Sequence, residues 1–459
     1  MKRNLDKTIF PLAIMAAALF LTSCEKFVEL GAPPTQVHYE DAFATDASAK
    51  AVVLGLYVSA TSSNISGLTT FYTGISADDL QYNAADAGLL EFANNGLLNT
   101  NGYVANVWSN LYQLIKNTNN AIAGLEASNT ITPSVKDQLI GEAKFMRAYA
   151  YLYLVNLYGD VPLHLKDDLA VNEEGSLPRT GVEQIYSQIT TDLLDAEDRL
   201  ATAYQGAFRA RVNKHAASAL LARVYLYRGD FEKAEVYATK VLQASDYNLA
   251  SPTANFTNTS DEIIFQLANL TGVTTFGSTY VTAETIIPAY SLPEAVYNSF
   301  ETSPQIDLRH ENWVSKKTIS DKTYYAITKY KAHAGTGDEY HVVLRLAEQY
   351  LIRAEARANQ NNMSGAKEDI DAVRARAGLG ELSSGLTKEQ MLLAVETERL
   401  YELFGEYGHR WLDLKRTNRA TAALSPIKES WKSTAVLFPI PNAQILMNRN
   451  LTQNPGYED

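Results

Sequence analysis

The chain has 459 residues, 46% of them apolar and 20% charged, so it can bury a core and is not a disordered polyelectrolyte. A formal net charge of −12 argues against a sequence-independent nucleic-acid binder, which needs a basic footprint. A single cysteine excludes an intramolecular disulfide and any clustered cysteine metal site.

The chain opens with Lys2, Arg3 and Lys7, then runs apolar from Ile9 to Leu21. That run is shorter than the roughly 20 residues needed to span a bilayer. With Leu21-Thr22-Ser23-Cys24 behind it, it reads as a signal peptide over residues 1–23 that ends in a sequence resembling a bacterial lipobox. Cys24, the only cysteine, is then the lipid-modified first residue of the mature chain. No later run reads as a membrane span, so the body is expected to be soluble and tethered. Residues 24–45, with Gly31, Pro33 and Pro34, form the lipidated tether, and residues 46–459 a single domain.

Residues 61–101 carry Gly67, Gly74, Gly88 and Gly96 among many Asn and Asp, and read as irregular. Helical spacing dominates from 103 to 158. Thr132-Pro133 marks a helix start, Met146, Ala150, Tyr153, Leu154 and Leu157 share one face, and Gly159 ends it. Thr180 and Glu183 have capping-box spacing, and 181–200, like 103–158, reads as a further helical hairpin. Ala219–Leu242 aligns with Leu351–Arg374: Ala222 falls on Ala354, Ala234 on Ala366 and Val241 on Val373, and the turn Gly229-Asp230 falls on Asn361-Asn362. Each is a helix, a tight turn and a second helix, within 213–244 and 345–377, as in tetratricopeptide-like pairs. Residues 245–340 break the pattern with Pro252, Pro288, Pro293 and Pro304 and show only short β-like runs such as Ile263-Ile264-Phe265. Thr387 with Gln390 is a further capping box. The expected fold is mainly α, four helical pairs packed against an irregular, loop-rich half whose insertions carry function.

Catalytic and cofactor chemistry find no positive signal. The seven His are scattered, no His-Glu-x-x-His occurs, and no Gly-Lys-Ser/Thr follows a glycine loop. Gly335-Thr336-Gly337 and Gly378-Leu379-Gly380 lack the third glycine of a dinucleotide fingerprint. Adjacent acids such as Asp78-Asp79 and Asp167-Asp168 read as solvated turns. The charged set Glu398, Arg399, Glu402, Arg410 and Asp413 reads as ion pairs holding loops in place. No metal, no cofactor and no enzymatic activity are expected.

Several motifs in order resemble the SusD/RagB family of surface lipoproteins. They are Gly141–Tyr149 continuing into Leu157-Tyr158-Gly159-Asp160-Val161-Pro162-Leu163, Arg211-Val212-Asn213-Lys214 leading into Ala219–Leu226, and Arg345–Ala356. Glu398-Arg399 with Gly408–Arg416, Phe438-Pro439-Ile440-Pro441 and the terminal Gln453–Tyr457 complete the set. Glu406-Tyr407-Gly408 departs from the more usual Glu-Gly and puts the local geometry in question. The resemblance implies a SusD-like fold and a non-catalytic protein, lipid-anchored on the cell-surface side of the outer membrane. It implies capture of an oligosaccharide or polysaccharide and delivery to a SusC-like TonB-dependent transporter, with the helical repeats facing the transporter. A peptide ligand is the first alternative, and a helical-repeat protein adaptor the second. Sugar C–H faces seek aromatic rings, and hydroxyls seek amides and carboxylates. The ligand surface is therefore placed on residues 61–101 and 270–330, with Trp313 as stacking platform and Tyr72, Tyr82, Asn83, Asp79, Tyr280 and Tyr290 around it.

Overall fold

A computed structural model describes residues 39–166 and 176–457. The signal segment, Cys24 and Asp167-Asp168 lie outside them.

After a short helix, Tyr39–Ala42, come helices α1 (Asp46–Ser62) and α2 (Ile65–Ser76). Together they are long and apolar enough to suggest a membrane span, but Asn64, at φ 50°, breaks them, and α2 is buried along nearly its whole length. This corrects the irregular reading of 61–101. A helix enclosed on all sides has no amphipathic stripe to betray it. Its threonines and serines satisfy themselves locally, as when Thr69 Oγ1 donates to the Ile65 carbonyl at 2.8 Å. Gly74 lets a neighbour in, since a Cβ there would lie 2.4 Å from Leu80 Cδ1. A two-residue strand β1 (Gln81–Tyr82) and the short helix Ala87–Ala93 follow.

The helical wall runs in chain order through α3 (Gly102–Ala127), α4 (Pro133–Tyr158), α5 (Val182–Arg199), α6 (Lys214–Tyr227) and α7 (Phe231–Leu242). It resumes after the irregular half with α8 (Leu346–Asn359), α9 (Met363–Arg376) and α10 (Lys388–Leu403). Each of α3 to α9 packs on the next, and α10 packs on α8 and α9. The two aligned segments share their turn geometry. Gly229 at φ 72° matches Asn361 at φ 65°. Asp230 and Asn362 then cap the second helix, accepting from the Lys233 and Gly365 amides. The aligned pairs Ala222/Ala354, Ala234/Ala366 and Val241/Val373 are all fully buried where helices meet. Thr387 and Gln390 form the expected capping box. Thr180 and Glu183 do not, because Gly181 takes the cap position and the Asp160 carboxylate accepts from Val182 N–H instead. Residues 181–200 hold one helix, α5, seated between α4 and α6.

The irregular half is more ordered than its composition suggests. β2 (Ile263–Leu267) pairs antiparallel with β6 (His341–Arg345), and β3 (Tyr290–Ser291) with β1. β4 (Val314–Ile319) and β5 (Lys322–Ile327) form a hairpin closed by Ser320 and Asp321, both at positive φ. Asn-Gly or Asp-Gly is the readable signal for such a turn, and its absence hid the hairpin. Gly337 serves packing: Gly272, at φ 68°, approaches so closely that a Cβ on it would sit 1.8 Å from the Gly337 carbonyl oxygen.

A buried charge network joins the halves. Arg309, from the irregular half, donates to Asp307, to Glu398 at 2.6 Å and to Glu402 at 2.9 Å. Arg345, at the β6–α8 junction, donates to Glu262, Glu402 and Glu406, and Arg376 at the end of α9 also donates to Glu402. Lys329 Nζ reaches Glu406 and the Glu402 carbonyl. Burial pushes the Glu402 carboxyl up, but the Arg376, Arg345 and Arg309 guanidiniums outweigh it and hold its pKa well below the usual range. Tyr407, between Glu406 and Gly408, takes a left-handed backbone at φ 46°. It buries its ring and bonds α2 through its amide to Thr70 and its hydroxyl to Ser66. The expected set also includes Arg399 with Asp413, and Arg410 with Asp78 and Glu396, all ion-paired. After α10 the chain forms α11 (His409–Arg416), and Phe438 inserts against Phe92, Tyr158 and Trp411.

Truncating one member strands several buried charges. Arg345→Met is expected to cost about 3–5 kcal/mol of stability, read as a lowered urea midpoint. A loss below about 1 kcal/mol would remove the network from its structural role.

Candidate functional site

Trp313 is not a platform. It is fully buried, its Nε1–H donates to the Pro252 carbonyl at 2.7 Å, and its ring packs against Phe256 and the Lys329 ammonium. It ends the helix Leu308–Trp313, which the buried Arg309 knot draws inward. Its faces are covered by protein, which corrects the sequence reading.

Four of the chosen tyrosines do come together. Phe71 on α2 stacks on Tyr290 with centroids 4.7 Å apart and meets Tyr280 edge-on at 5.2 Å. Tyr290 in turn contacts Tyr82 across the β1–β3 pair, and Tyr72 packs against Phe92 and Tyr103. Tyr72, Tyr280 and Tyr290 are buried and form a floor, while Tyr82 and Asn83 are half-buried at the surface. Asn83 pins the ribbon: its Nδ2 donates to the Pro288 carbonyl and Ser291 Oγ, and its amide to the Ala289 carbonyl. Asp79 is buried below, accepting from Gly405 N–H at 3.2 Å. Its burial, against that hydrogen bond, pushes its pKa up to about 7.

The accessible part of this face is built from residues that the sequence reading missed. Asp86 caps the Ala87–Ala93 helix through Leu89 N–H, accepts the Tyr103 hydroxyl at 3.0 Å, and donates its amide to Tyr82 Oη. The Asp86 carboxylate raises the Tyr103 pKa, so that hydroxyl stays a donor. Beside Tyr103 lies a cavity of about 310 Å³ lined by Gly88, Glu91, Thr100, Asn101, Gly102, Tyr103 and Asn106. Glu91 is held by Leu98 N–H and Asn101 Nδ2, and Asn101 caps α3. An Asn at a helix cap beside Gly102 was the available signal. On the other flank, a bridge from Leu292 to Tyr325 joins the ribbon to the hairpin. There half-buried Tyr297 stacks on Tyr325 at 4.0 Å, and Glu294 accepts the Tyr325 hydroxyl. The surface thus offers aromatic ring edges, amides and fixed carboxylates. Among the described residues, no group of three or more His, Cys, Asp or Glu is placed to hold a metal ion.

A mainly helical wall bearing an irregular, polar–aromatic face defines a SusD-like protein. A family model described as starch-binding and associating with the outer membrane matches residues 37–226, and the SusD family model matches residues 272–457. The chain belongs to the SusD family. It is 28% identical to SusD-like protein P2 of Formosa agariphila over 91% of this chain and 94% of that protein. It is 26% identical to the starch-binding protein SusD of Bacteroides thetaiotaomicron, over 69% and 72% of the two chains. Its fold matches a SusD superfamily protein of Bacteroides vulgatus with TM-score 0.81 at 19% identity, covering 90% of this chain and 100% of that one. It matches a laminarin-binding SusD-like protein with TM-score 0.74 at 24% identity, covering 90% and 99%.

Asp79 should make stability pH-dependent. Its folded pKa lies above the ordinary 3.8, so folding retains a proton, and stability falls as pH rises from about 4 through about 7. Asp79→Asn should remove that part of the slope, gaining on the parent at pH 8 relative to pH 5 in urea midpoints. An equal difference at both pH values would contradict the assignment.

Proposed function

We propose that the protein binds an oligosaccharide or polysaccharide at the face around Tyr82, Tyr103, Asp86 and Glu91 and passes it to a SusC-like TonB-dependent transporter. The observation that carries this reading is the polar cavity beside Tyr103, where amides, a fixed carboxylate and an aromatic edge converge. Such a set suits hydroxyl groups and C–H faces together. The starch-binding and laminarin-binding relatives support a glycan over a peptide. Binding rather than catalysis fits the carboxylates here, which are engaged in capping and loop hydrogen bonds. Cys24 anchors the chain to the outer membrane, consistent with the outer-membrane description of the matched family.

Calorimetry or affinity electrophoresis against glycan and peptide panels tests the ligand. Tyr103→Ala should weaken a bound glycan by roughly two- to tenfold, given roughly 0.5–1.5 kcal/mol for a ring contact beyond its area. Unchanged affinity would move the site elsewhere, and binding only by peptides would replace the glycan reading.

The anchor is tested separately. Cys24→Ala should shift the protein from the membrane fraction to the soluble fraction. Its quantitative recovery with salt-washed outer membranes would refute lipid attachment at that residue.

A further inference from the structure

The charge around this face is one-sided. Residues 51–115 and 241–308, the two stretches that supply most of it, contain eleven acidic residues and no lysine, arginine or histidine. Asp78, Asp261, Glu262, Glu301 and Asp307 are paired with arginines from elsewhere, which leaves Asp86 and Glu91 as the carboxylates beside the cavity. Tertiary structure adds little positive charge beside the cavity. Among the described residues, Lys428 is spent on the Ile75 and Ala93 carbonyls, at 2.7 and 2.8 Å, and the exposed Lys432 lines a separate pocket with Leu97, Leu98 and Asn99. Arg410 is committed to Asp78 and Glu396. The exposed lysines of the irregular half do not line the cavity: Lys316 and Lys322 sit on the hairpin, and Lys331 donates to the Asn312 carbonyl. The cavity itself is lined by one carboxylate, Glu91, with Asp86 next to it and no cation.

We propose that this site selects uncharged glycans and rejects uronate and sulfated ones. The inference rests on the glycan-binding reading above and adds the chemical class. The geometry supplies the reason. Glu91 Oε2 is held by Leu98 N–H and by Asn101 Nδ2, so the carboxylate cannot swing away from an incoming anion. Asp86 is fixed in the same way by Leu89 N–H and Tyr103. Neutral hydroxyls can donate to the remaining lone pairs of both carboxylates. An anionic sugar offers fewer donors and meets two immobile like charges without a compensating guanidinium, the group that ordinarily recognises carboxylate and sulfate.

Two glycan sets distinguish this inference from the reading beneath it. The mature chain is run in affinity gels containing uncharged polymers (starch, laminarin, galactomannan) or acidic ones (alginate, polygalacturonate, sulfated galactan). A ligand that binds is then compared by calorimetry with its C6-carboxylated derivative at low and high salt. Retardation should be confined to the uncharged set. The carboxylated form should bind about tenfold more weakly at low ionic strength, with the gap narrowing as salt screens it. Glu91→Gln, which keeps an acceptor for Leu98 and Asn101, should narrow the gap several-fold. Asn106→Lys, on the exposed face of α3, should do the same by adding a cation. Retardation by acidic polymers alone, equal affinity for both forms, or a gap unmoved in both variants would overturn the charge selection and leave glycan binding intact. Absence of binding to every glycan would overturn both.

Discussion

The fold turns on one carboxylate. Glu402 lies fully buried beneath three guanidiniums from three places in the chain: Arg309 in the irregular half, Arg345 where β6 becomes α8, and Arg376 at the end of α9. A charge at that depth is tolerated only if every neighbour is in position, because its desolvation is offset by close, geometrically good partners. The partners therefore hold one another. Glu398, one turn earlier on α10, shares Arg309 Nη1 with Glu402, and Glu406 accepts from both Arg345 and Lys329. Gly405 and Gly408, at φ 64° and 71°, let the chain double back so that Glu406 re-enters the same pocket. The knot is costly to build and brittle to single truncations, which suits a junction that must hold one orientation of the irregular half on the helical wall.

That orientation decides what faces outward. With Arg309 and Asp307 drawn in, the helix that follows them carries Trp313 into the core. With Tyr407 docked on α2 through Thr70 and Ser66, α2 is trapped below, and its Phe71 and Tyr72 become the underside of the β1–β3 ribbon. The aromatic residues of the insertions consequently divide into two populations. Most are buried beneath the ribbon or in the core, Tyr82, Tyr297 and Tyr340 remain partly accessible, and Tyr103 on α3 joins Tyr82 at the surface. At the proposed binding face the floor would serve the surface rings, because a ring supported by packed rings keeps its orientation and loses little freedom on binding.

Much of the architecture was legible before any coordinates. The paired hairpins at Ala222 and Ala354, the Thr387 capping box and the stop at Gly159 follow from local rules of spacing and backbone conformation, and each stands in the structure. So does the structural role of Glu398, Arg399, Glu402, Arg410 and Asp413. The misses have separate causes. The helix α2 is enclosed on all sides, so its sequence shows no stripe, and its glycines, read as loop signals, are contact points. The β4–β5 hairpin closes on Ser-Asp rather than on a glycine turn.

For the binding face the division is sharper. Sequence by itself determined the family, the helical repeats and the absence of basic residues from 51–115 and 241–308, because motif order, periodicity and charge are properties of the linear chain. Which rings are exposed was decided only by tertiary structure. Trp313 directly follows Asn312 and Tyr103 lies two residues after Asn101, both in polar surroundings, and nothing local reveals which ring will be buried. One is buried because an ion network more than eighty residues away in the chain, at Glu398 and Glu402, pulls its helix inward. The other stays half-exposed because Asn101 caps α3 at the surface and Asp86 holds its hydroxyl there. Burial depends on where distant segments pack, and that information becomes available only once the chain has folded.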